Sequence, residues 1–187
     1  IGLAQEEKPL SAPKIYLDRS ARIIAYQLKR LSNQRLLLVE RKTDDPKYLP
    51  VFQAILMRDG MPLQQRSDAL KAIVILNQSD PVLELLALLE SLPDDSRQEK
   101  ENARSLAQML IDQPVDRMKG NEQVLIDTVG SKKQIVRVAG HAALMESGGL
   151  GLKPLDPEGI IDWLNSFSMV PSQTARNNNR QSVIGAL

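Results

Sequence analysis

The residue most capable of chemistry in this 187-residue chain is its one histidine, His141. It follows Arg137 by four positions in a helical pattern, beside small alanines. A catalytic base needs a nucleophile or an orienting carboxylate within hydrogen-bonding reach. No Gly-x-Ser-x-Gly motif surrounds a serine, and no second histidine or paired His-Glu motif could complete a metal site. We therefore expect His141 to be a structural or surface residue, and we expect no metal and no cofactor.

Two carboxylate pairs, Asp44-Asp45 and Asp94-Asp95, lie where helices are expected to begin. Negative charge at a helix start favours the helix dipole, and a carboxylate there caps free N–H groups. We interpret both pairs as caps, not as acid–base catalysts or calcium ligands. The glycine-rich run 148–151 has no following Lys-Ser/Thr and no preceding strand, so we expect a helix C-cap and a loop, not a phosphate loop.

Basic residues are concentrated early in the chain. From Asp18 to Arg66 ten basic residues face five acidic ones, whereas from Ser67 to Asn102 eight acidic residues face three basic ones. One basic groove can be lined by five residues, with Tyr26 interleaved: Arg19, Arg22, Lys29, Arg30 and Arg35. The overall net charge is only +1, so we interpret these residues as solvated helix faces and do not expect nucleic acid as the main partner.

The elements that must carry these residues are helices. The hydrophobic fraction of 42% comes almost entirely from Leu, Ile, Val and Ala, and aromatic residues make up 3%. This composition is typical of stacked helices. The absence of cysteine excludes disulfides, thiolate zinc sites and covalent haem attachment within these residues. No apolar run approaches the ~18 residues that a membrane span requires.

Acidic and proline-containing turns separate the apolar helical stretches at regular intervals. Asp45-Pro46 and Asp80-Pro81 are helix start signals, Pro114–Asn121 is expected to be a longer connection, and Leu36–Val39 a helical turn. The first predicted helix is capped by Asp18 or Ser20 and runs to about Leu31, and the second begins at Pro46 and ends at the break 59–62. The others are residues 63–76, 82–92, 97–111, 122–129, 132–147, a short one near 160, and 171–187. A phrase that begins with a basic residue recurs at positions 66, 100, 137 and 180. Such recurrence predicts an α-solenoid of stacked antiparallel helix pairs.

The clearest copy of the phrase resembles a HEAT repeat. Val136-Arg137 is followed by Ala139, Ala142-Ala143 and Leu144, and residues 125–129 precede it across a short turn. The second helix of a HEAT repeat typically opens with a valine–arginine pair and continues with alanines and an Ala-Leu. The resemblance covers about residues 45–187, and the copies that begin at Lys100 and Arg180 match poorly. It implies a HEAT- or armadillo-like array in which the recurring basic residue pairs with acidic or carbonyl groups of the adjoining repeat.

The run Arg22–Met61 is also similar to helical-repeat modules of large exported proteins from planctomycete-like bacteria. Some of those proteins join the module to a c-type cytochrome domain. This resemblance implies an electron-transfer protein whose haem would lie outside these residues, because no Cys-x-x-Cys-His motif occurs here.

We expect the chain to act as a non-catalytic scaffold that grips a protein, or another domain of the same polypeptide, on its concave or basic face. The candidate binding residues are Arg22, Arg30, Arg66, Lys71, Arg137 and His141. One alternative is the module of an exported electron-transfer protein. Another is a nucleic-acid-binding or glycosylase-like enzyme, for which Asp162 and Trp163 are the plausible nucleators of an active site.

Residues 1–13 are expected to form a flexible leader, followed by one repeat domain over residues 14–187 that can continue past Leu187. The start Ile1–Pro9 resembles the end of a signal peptide, with a cleavage-like site between Ala4 and Gln5. We therefore expect an exported or periplasmic protein, with a cytoplasmic location as the alternative.

Overall fold

The computed structural model describes the backbone of residues 11–93 and 97–148, and the side chains of the same residues except 97 and 98. Within these ranges the chain is helical and contains no strand, which confirms the predicted all-α class. It divides into two compact units, with the boundary between Ser79 and Asp80. The described α-helices are α1 (Ala21–Lys29), α2 (Asn33–Leu37), α3 (Leu49–Leu56), α4 (Leu63–Asn77), α5 (Pro81–Ser91), α6 (Arg97–Ile111), α7 (Val115–Gly120), α8 (Glu122–Asp127) and α9 (Gln134–Glu146).

The first unit is built around the packing of α3 on α4, with α1 and α2 packed on α3. Val51, Ile55 and Leu56 of α3 are buried, and on α4 the small residues Ala69 and Ala72 let the helices approach closely. Helix α1 contributes two buried residues one turn apart, Ile24 and Leu28. The rest of α1 is thereby left with a long face toward solvent.

The helix starts follow the local signals in the sequence. Asp45 accepts a hydrogen bond from the backbone N–H of Lys47 at 3.0 Å, ahead of a 3-10 turn over Pro46–Tyr48 that leads into α3. Asp80 accepts one from Val82 N–H at 2.8 Å at the start of α5. Each carboxylate satisfies a donor that has no partner inside the helix. The interpretation of Asp45 as a cap is therefore confirmed, whereas Asp94-Asp95 lies outside the described residues.

Helix α9 is the centre of the second unit. It packs against α5, α6, α7 and α8. Nine of its residues are buried, including the consecutive run from Val138 to Met145. A helix that is buried on all sides carries the core of its unit. The alanines of the HEAT-like phrase, Ala139, Ala142 and Ala143, all lie in this core.

One predicted connection is a helix. Residues 114–121 were expected to link two helices, but α7 occupies Val115–Gly120. The carbonyl of Pro114 accepts from the N–H groups of Arg117 and Met118, and the Met118 side chain is fully buried. Arg117 also forms an ion pair of 3.0 Å with Asp80. Tertiary anchoring of a short segment therefore produces a helix that local pattern does not signal.

Gly148 ends α9 with a positive φ of 77°, and its N–H donates to the carbonyl of Met145. This geometry confirms the C-cap interpretation for the first glycine of the run 148–151. The leader and cleavage-like site in residues 1–10, the glycines after 148, and the predicted helices near 160 and at 171–187 lie outside the described residues.

In the described ranges, no single helix has both the length and the apolar composition needed to cross a bilayer. Helices α4 and α5 meet those criteria only when counted together across the break between them, on length and composition alone.

Candidate functional site

The outer face of α1 gathers cationic and aromatic side chains. With Ile24 and Leu28 directed inward, the helical period places Arg22, Tyr26 and Arg30 in one row, four residues apart. Tyr26 is 61% exposed, and Arg30 Nη1 donates to its hydroxyl at 2.9 Å. The guanidinium also lies 5.4 Å from the centroid of the tyrosine ring. The sequence analysis named Arg22 and Arg30, and the structure brings them to the same exposed helix face.

A second exposed aromatic, Tyr16, lies next to α1. Its N–H donates to Oε1 of Gln27 at 3.2 Å, which fastens the segment before the helix against α1. Tyr16 is 49% exposed, and Lys14 Nζ lies 5.4 Å from its ring centroid. We call the exposed residues of the segment and the helix together the basic–aromatic surface: Lys14, Tyr16, Arg19, Arg22, Tyr26, Lys29 and Arg30.

A pocket of about 400 Å³ opens beside Tyr16. Residues 13–18 form one wall, and Val39, Glu40, Lys47 and Tyr48 form the other. The buried Tyr48 donates its hydroxyl hydrogen to Glu40 Oε1 at 3.1 Å. Lys47 Nζ lies 4.9 Å from the centroid of the Tyr48 ring. The pocket thus combines aromatic walls with charges of both signs, and its volume is in the range that accommodates a small planar ligand.

Lys47, which lines the pocket, forms an exposed ion pair with Asp45. Lys47 Nζ lies 2.7 Å from Asp45 Oδ2. The pKa of Asp45 is lowered, first by the hydrogen bond from the Lys47 side chain and then by the one from its backbone N–H. The pKa of Lys47 is raised by the same side-chain hydrogen bond. Both residues therefore stay ionised across the neutral range.

Arg58 attaches α1 to the turn between α3 and α4. Its guanidinium donates to the carbonyls of Leu28 and Lys29, at 2.7 and 3.2 Å. These carbonyls belong to the last turn of α1, and the one of Leu28 also accepts from the N–H of Leu31 at 3.2 Å. Partial burial of Arg58 removes hydration from its guanidinium and lowers its pKa. The position of the basic–aromatic surface is thus set by an arginine about thirty residues further along the chain.

Two of the recurring basic residues make equivalent contacts. Arg66, the fourth residue of α4, donates from Nη2 to the carbonyl of Arg58 at 2.6 Å. Arg137, the fourth residue of α9, donates from Nη1 to the carbonyl of Ser131 at 2.9 Å. In both units the acceptor lies shortly before the arginine's own helix. Each of these hydrogen bonds therefore joins the arginine to a carbonyl of the turn before its own helix.

Arg66 and His141 are interior residues. Arg66 is 3% exposed and His141 is fully buried within α9. Burial lowers the pKa of Arg66, an effect that the nearby Asp59 partly opposes. A side chain in the core is not presented to a partner, so the structure corrects the expectation that these two residues lie on a binding face. The absence of solvent around His141 agrees with a structural role.

Lys71 is exposed on α4, on the face opposite Arg66. It lies in a row with Gln64, Asp68 and Ile75, spaced at four, three and four residues. Gln64 Nε2 donates to Asp68 Oδ1 at 3.0 Å, and Lys71 Nζ is 3.6 Å from the same oxygen. Ile75, at the end of the row, is 58% exposed. We call these four residues the outer row of α4.

Several structural residues were missed by the sequence analysis. Arg58 binds carbonyls about thirty residues earlier in the chain, and no local pattern marks it. The roles of Tyr16 and Tyr48 depend on contacts with Gln27 and Glu40 that form only on folding. In the second unit Lys133 similarly donates from Nζ to the carbonyls of Glu90 and Leu92, at the end of α5. A lysine directly after Ser131-Lys132 gives no sequence signal for this contact. Asp162 and Trp163, the nucleators of the enzyme alternative, lie outside the described residues.

Comparisons with protein-family models, curated proteins and solved structures found no match to this chain. The HEAT-like resemblance therefore rests on the sequence pattern alone.

Proposed function

We propose that the chain is a non-catalytic helical-repeat scaffold that binds a protein or another domain of the same polypeptide. The observation that carries the proposal is the equivalent contact made by Arg66 and Arg137, each from the fourth position of a helix to a carbonyl before it. A repeat array is built from helical units that share the same internal contacts, and this arginine-to-carbonyl contact occurs in both compact units. Such arrays present extended surfaces to partners.

The outer row of α4 is the part of this scaffold that we assign to partner contact. It places an exposed isoleucine, Ile75, beside the charged Lys71 and Asp68. Ile75 offers a partner an apolar contact, and the bordering Lys71 and Asp68 offer charges of both signs, as in an interface with an apolar centre and a polar rim. The array of antiparallel pairs and the export of the chain are parts of the same proposal, supported by the recurring phrase and by the start Ile1–Pro9.

The test is site-specific photocross-linking on the intact polypeptide in its native organism, with the photoreactive residue at Lys71. We expect one discrete adduct, which peptide mass spectrometry assigns either to another protein or to another part of the same polypeptide. Ile75→Asp should abolish the adduct, because a carboxylate would replace the apolar contact, while far-UV circular dichroism stays unchanged.

The matched control places the photoreactive residue at Lys119, an exposed lysine of α7 in the second unit. An identical adduct from both positions would show non-selective capture. Absence of any adduct at Lys71 in the folded protein would refute the assignment of this helix face.

A further inference from the structure

The basic–aromatic surface is strongly cationic. Its five basic side chains, from Lys14 to Arg30, are exposed, and Asp18 is the single acidic residue in this range. In the described part of the chain none of the five forms an ion pair with a carboxylate. These exposed positive charges make the surface complementary to a polyanion.

The tyrosines narrow the choice among polyanions. Tyr16 is 49% exposed and Tyr26 is 61% exposed. Each ring has a cationic side chain from its own segment beside it. Exposed aromatic rings between cations are the stacking platforms of proteins that bind unpaired bases, because every base has a π-face. Paired bases in a duplex are stacked on each other and are not accessible to such rings.

A membrane surface is a poorer match. Helices that lie in a lipid interface insert a broad apolar face. The apolar face of α1, made by Ile24 and Leu28, is instead buried inside the protein. On the solvent side of the helix the only large aliphatic side chain is Ile23, which is 48% exposed.

We propose that the basic–aromatic surface binds single-stranded nucleic acid, with phosphates on the cations of α1 and bases stacked on Tyr16 and Tyr26. Arg22 and Arg30 lie about 12 Å apart along the helix axis, with Tyr26 midway between them, so that two cations flank one stacking ring. The pocket beside Tyr16 has room for one base between its two walls. This inference goes beyond the scaffold role and is independent of the outer row of α4.

The experiment is fluorescence anisotropy of the whole chain with a labelled 12-nucleotide oligo(U), measured from 25 to 300 mM NaCl. We expect saturable binding that weakens as salt rises, with a log–log slope of about −0.7 for each phosphate contact. The competitors, compared at equal concentration of negative charge, are a 12-base-pair duplex, polyglutamate, a heparin fragment and anionic phospholipid vesicles. Each should compete less well than unlabelled oligo(U).

Variants separate the two parts of the surface. Tyr26→Ala should weaken binding roughly five- to a hundredfold without changing the salt slope, because it removes stacking and no charge. Arg22→Gln should weaken binding and make the slope shallower by about 0.7. Lys100→Gln, at an exposed lysine of α6, is the matched control and should leave both quantities unchanged.

Three results would overturn the proposal: equal competition by the duplex, polyglutamate, heparin or vesicles; no loss of affinity in Tyr26→Ala; or an equal effect of Lys100→Gln. The first would assign the surface to another acidic macromolecule. Tyr26 and Arg22 are exposed, so neither substitution should change the stability of the fold. Unchanged melting curves of the two variants would show that a loss of affinity is not caused by misfolding. Cross-linking at Lys71 reports on the scaffold role separately, so either proposal can fail alone.

Discussion

At the scale of single residues, Gly140 occupies the most restricted position among the described glycines. A Cβ added there would lie 2.8 Å from Cβ and 2.9 Å from Cγ2 of Thr128, distances that side chains do not adopt. Both residues are buried in the second unit. The absence of a side chain at Gly140 is therefore what allows α9 to approach the 3-10 turn Thr128–Gly130.

We expect Gly140→Ala to lower the free energy of unfolding by about 2–3 kcal/mol, because the overlap outweighs the better helix propensity of alanine. Urea denaturation followed by circular dichroism measures the change. Gly120→Ala, at a position with no atom within 4 Å, should be neutral or stabilising. Adding Thr128→Ala should recover part of the loss in Gly140→Ala, and strictly additive effects would contradict the contact.

The Asp45–Lys47 ion pair makes the stability of the fold depend on pH in the acidic range. Hydrogen bonds from Lys47 lower the pKa of Asp45 in the folded state. A carboxylate with a lowered folded pKa stabilises the fold above its unfolded pKa of about 3.9, and this contribution is lost as pH falls through the folded pKa. Because the pair is exposed, the effect on stability is small.

We therefore expect Asp45→Asn to melt at a slightly lower temperature than the wild type at pH 6, and the difference to vanish as the pH falls below 4. Thermal melts at half-unit steps of pH provide the measurement. The neighbouring Asp44→Asn serves as the control and should change the melting temperature less. A difference that persists at pH 2.5 would mean that the amide fails as a cap, and not that the ion pair contributes.

At the scale of helices, the arginines that close the helix pairs matter through both their stems and their guanidinium groups. The buried Arg66 donates to one carbonyl, and its Nε and Nη1 have no hydrogen-bond partner within the described part of the chain. Burial of a charge with incomplete partners is costly. Its aliphatic stem, in contrast, is apolar and is buried with the rest of the side chain, as are Ala69 and Leu70 on the same helix.

We expect Arg66→Ala to lower the free energy of unfolding by about 2–4 kcal/mol, since it opens a cavity and removes the contact. Arg66→Met preserves most of the volume and should cost less than about 1 kcal/mol. Chemical denaturation of both variants measures the two losses. Arg137→Ala, at the half-exposed equivalent position in α9, is measured alongside them. Equal losses in the two Arg66 variants would assign the stabilisation to the hydrogen bond instead of the stem.

The helices also show which features could be predicted from the sequence and which could not. The helix starts at Asp45-Pro46 and Asp80-Pro81 were predictable, because each capping carboxylate belongs to a residue only two positions before the N–H group that it binds. Helix α7 was not, because its anchor is the burial of Met118 against distant elements. The row of Arg22, Tyr26 and Arg30 on α1 was not predicted as such, because it is defined only once Ile24 and Leu28 are seen to be buried. The burial of Arg66 did not follow, since charge normally indicates solvent and its carbonyl partner is defined only after folding.

At the scale of the whole molecule, charge is divided between the two halves of the sequence. Residues 1–79 contain 13 basic and 8 acidic residues, and residues 80–187 contain 11 and 15. The boundary coincides with the division into compact units. The net charge of +1 thus conceals a positive unit and a negative one, and an overall charge near zero gives little guidance about partners.

We expect the protein at pH 7 and low salt to bind both cation- and anion-exchange resins, although it is almost neutral. The double variant Arg22→Glu, Arg30→Glu should elute from the cation exchanger at clearly lower salt, because both residues lie on the exposed face of α1. A double variant with the same charge change in the negative half, Lys100→Glu with Lys132→Glu, should affect cation exchange less. Equal shifts for the two variants would contradict a localised positive surface.

The attachment of α1 by Arg58 has a consequence for how this protein can evolve. Arg58 binds the carbonyls of Leu28 and Lys29, which every amino acid presents in the same way. Substitutions on the outer face of α1 therefore leave this anchor intact. Selection can change what the helix recognises while the helix stays in place, so homologues are expected to vary at positions 22, 26 and 30 and to retain arginine at position 58.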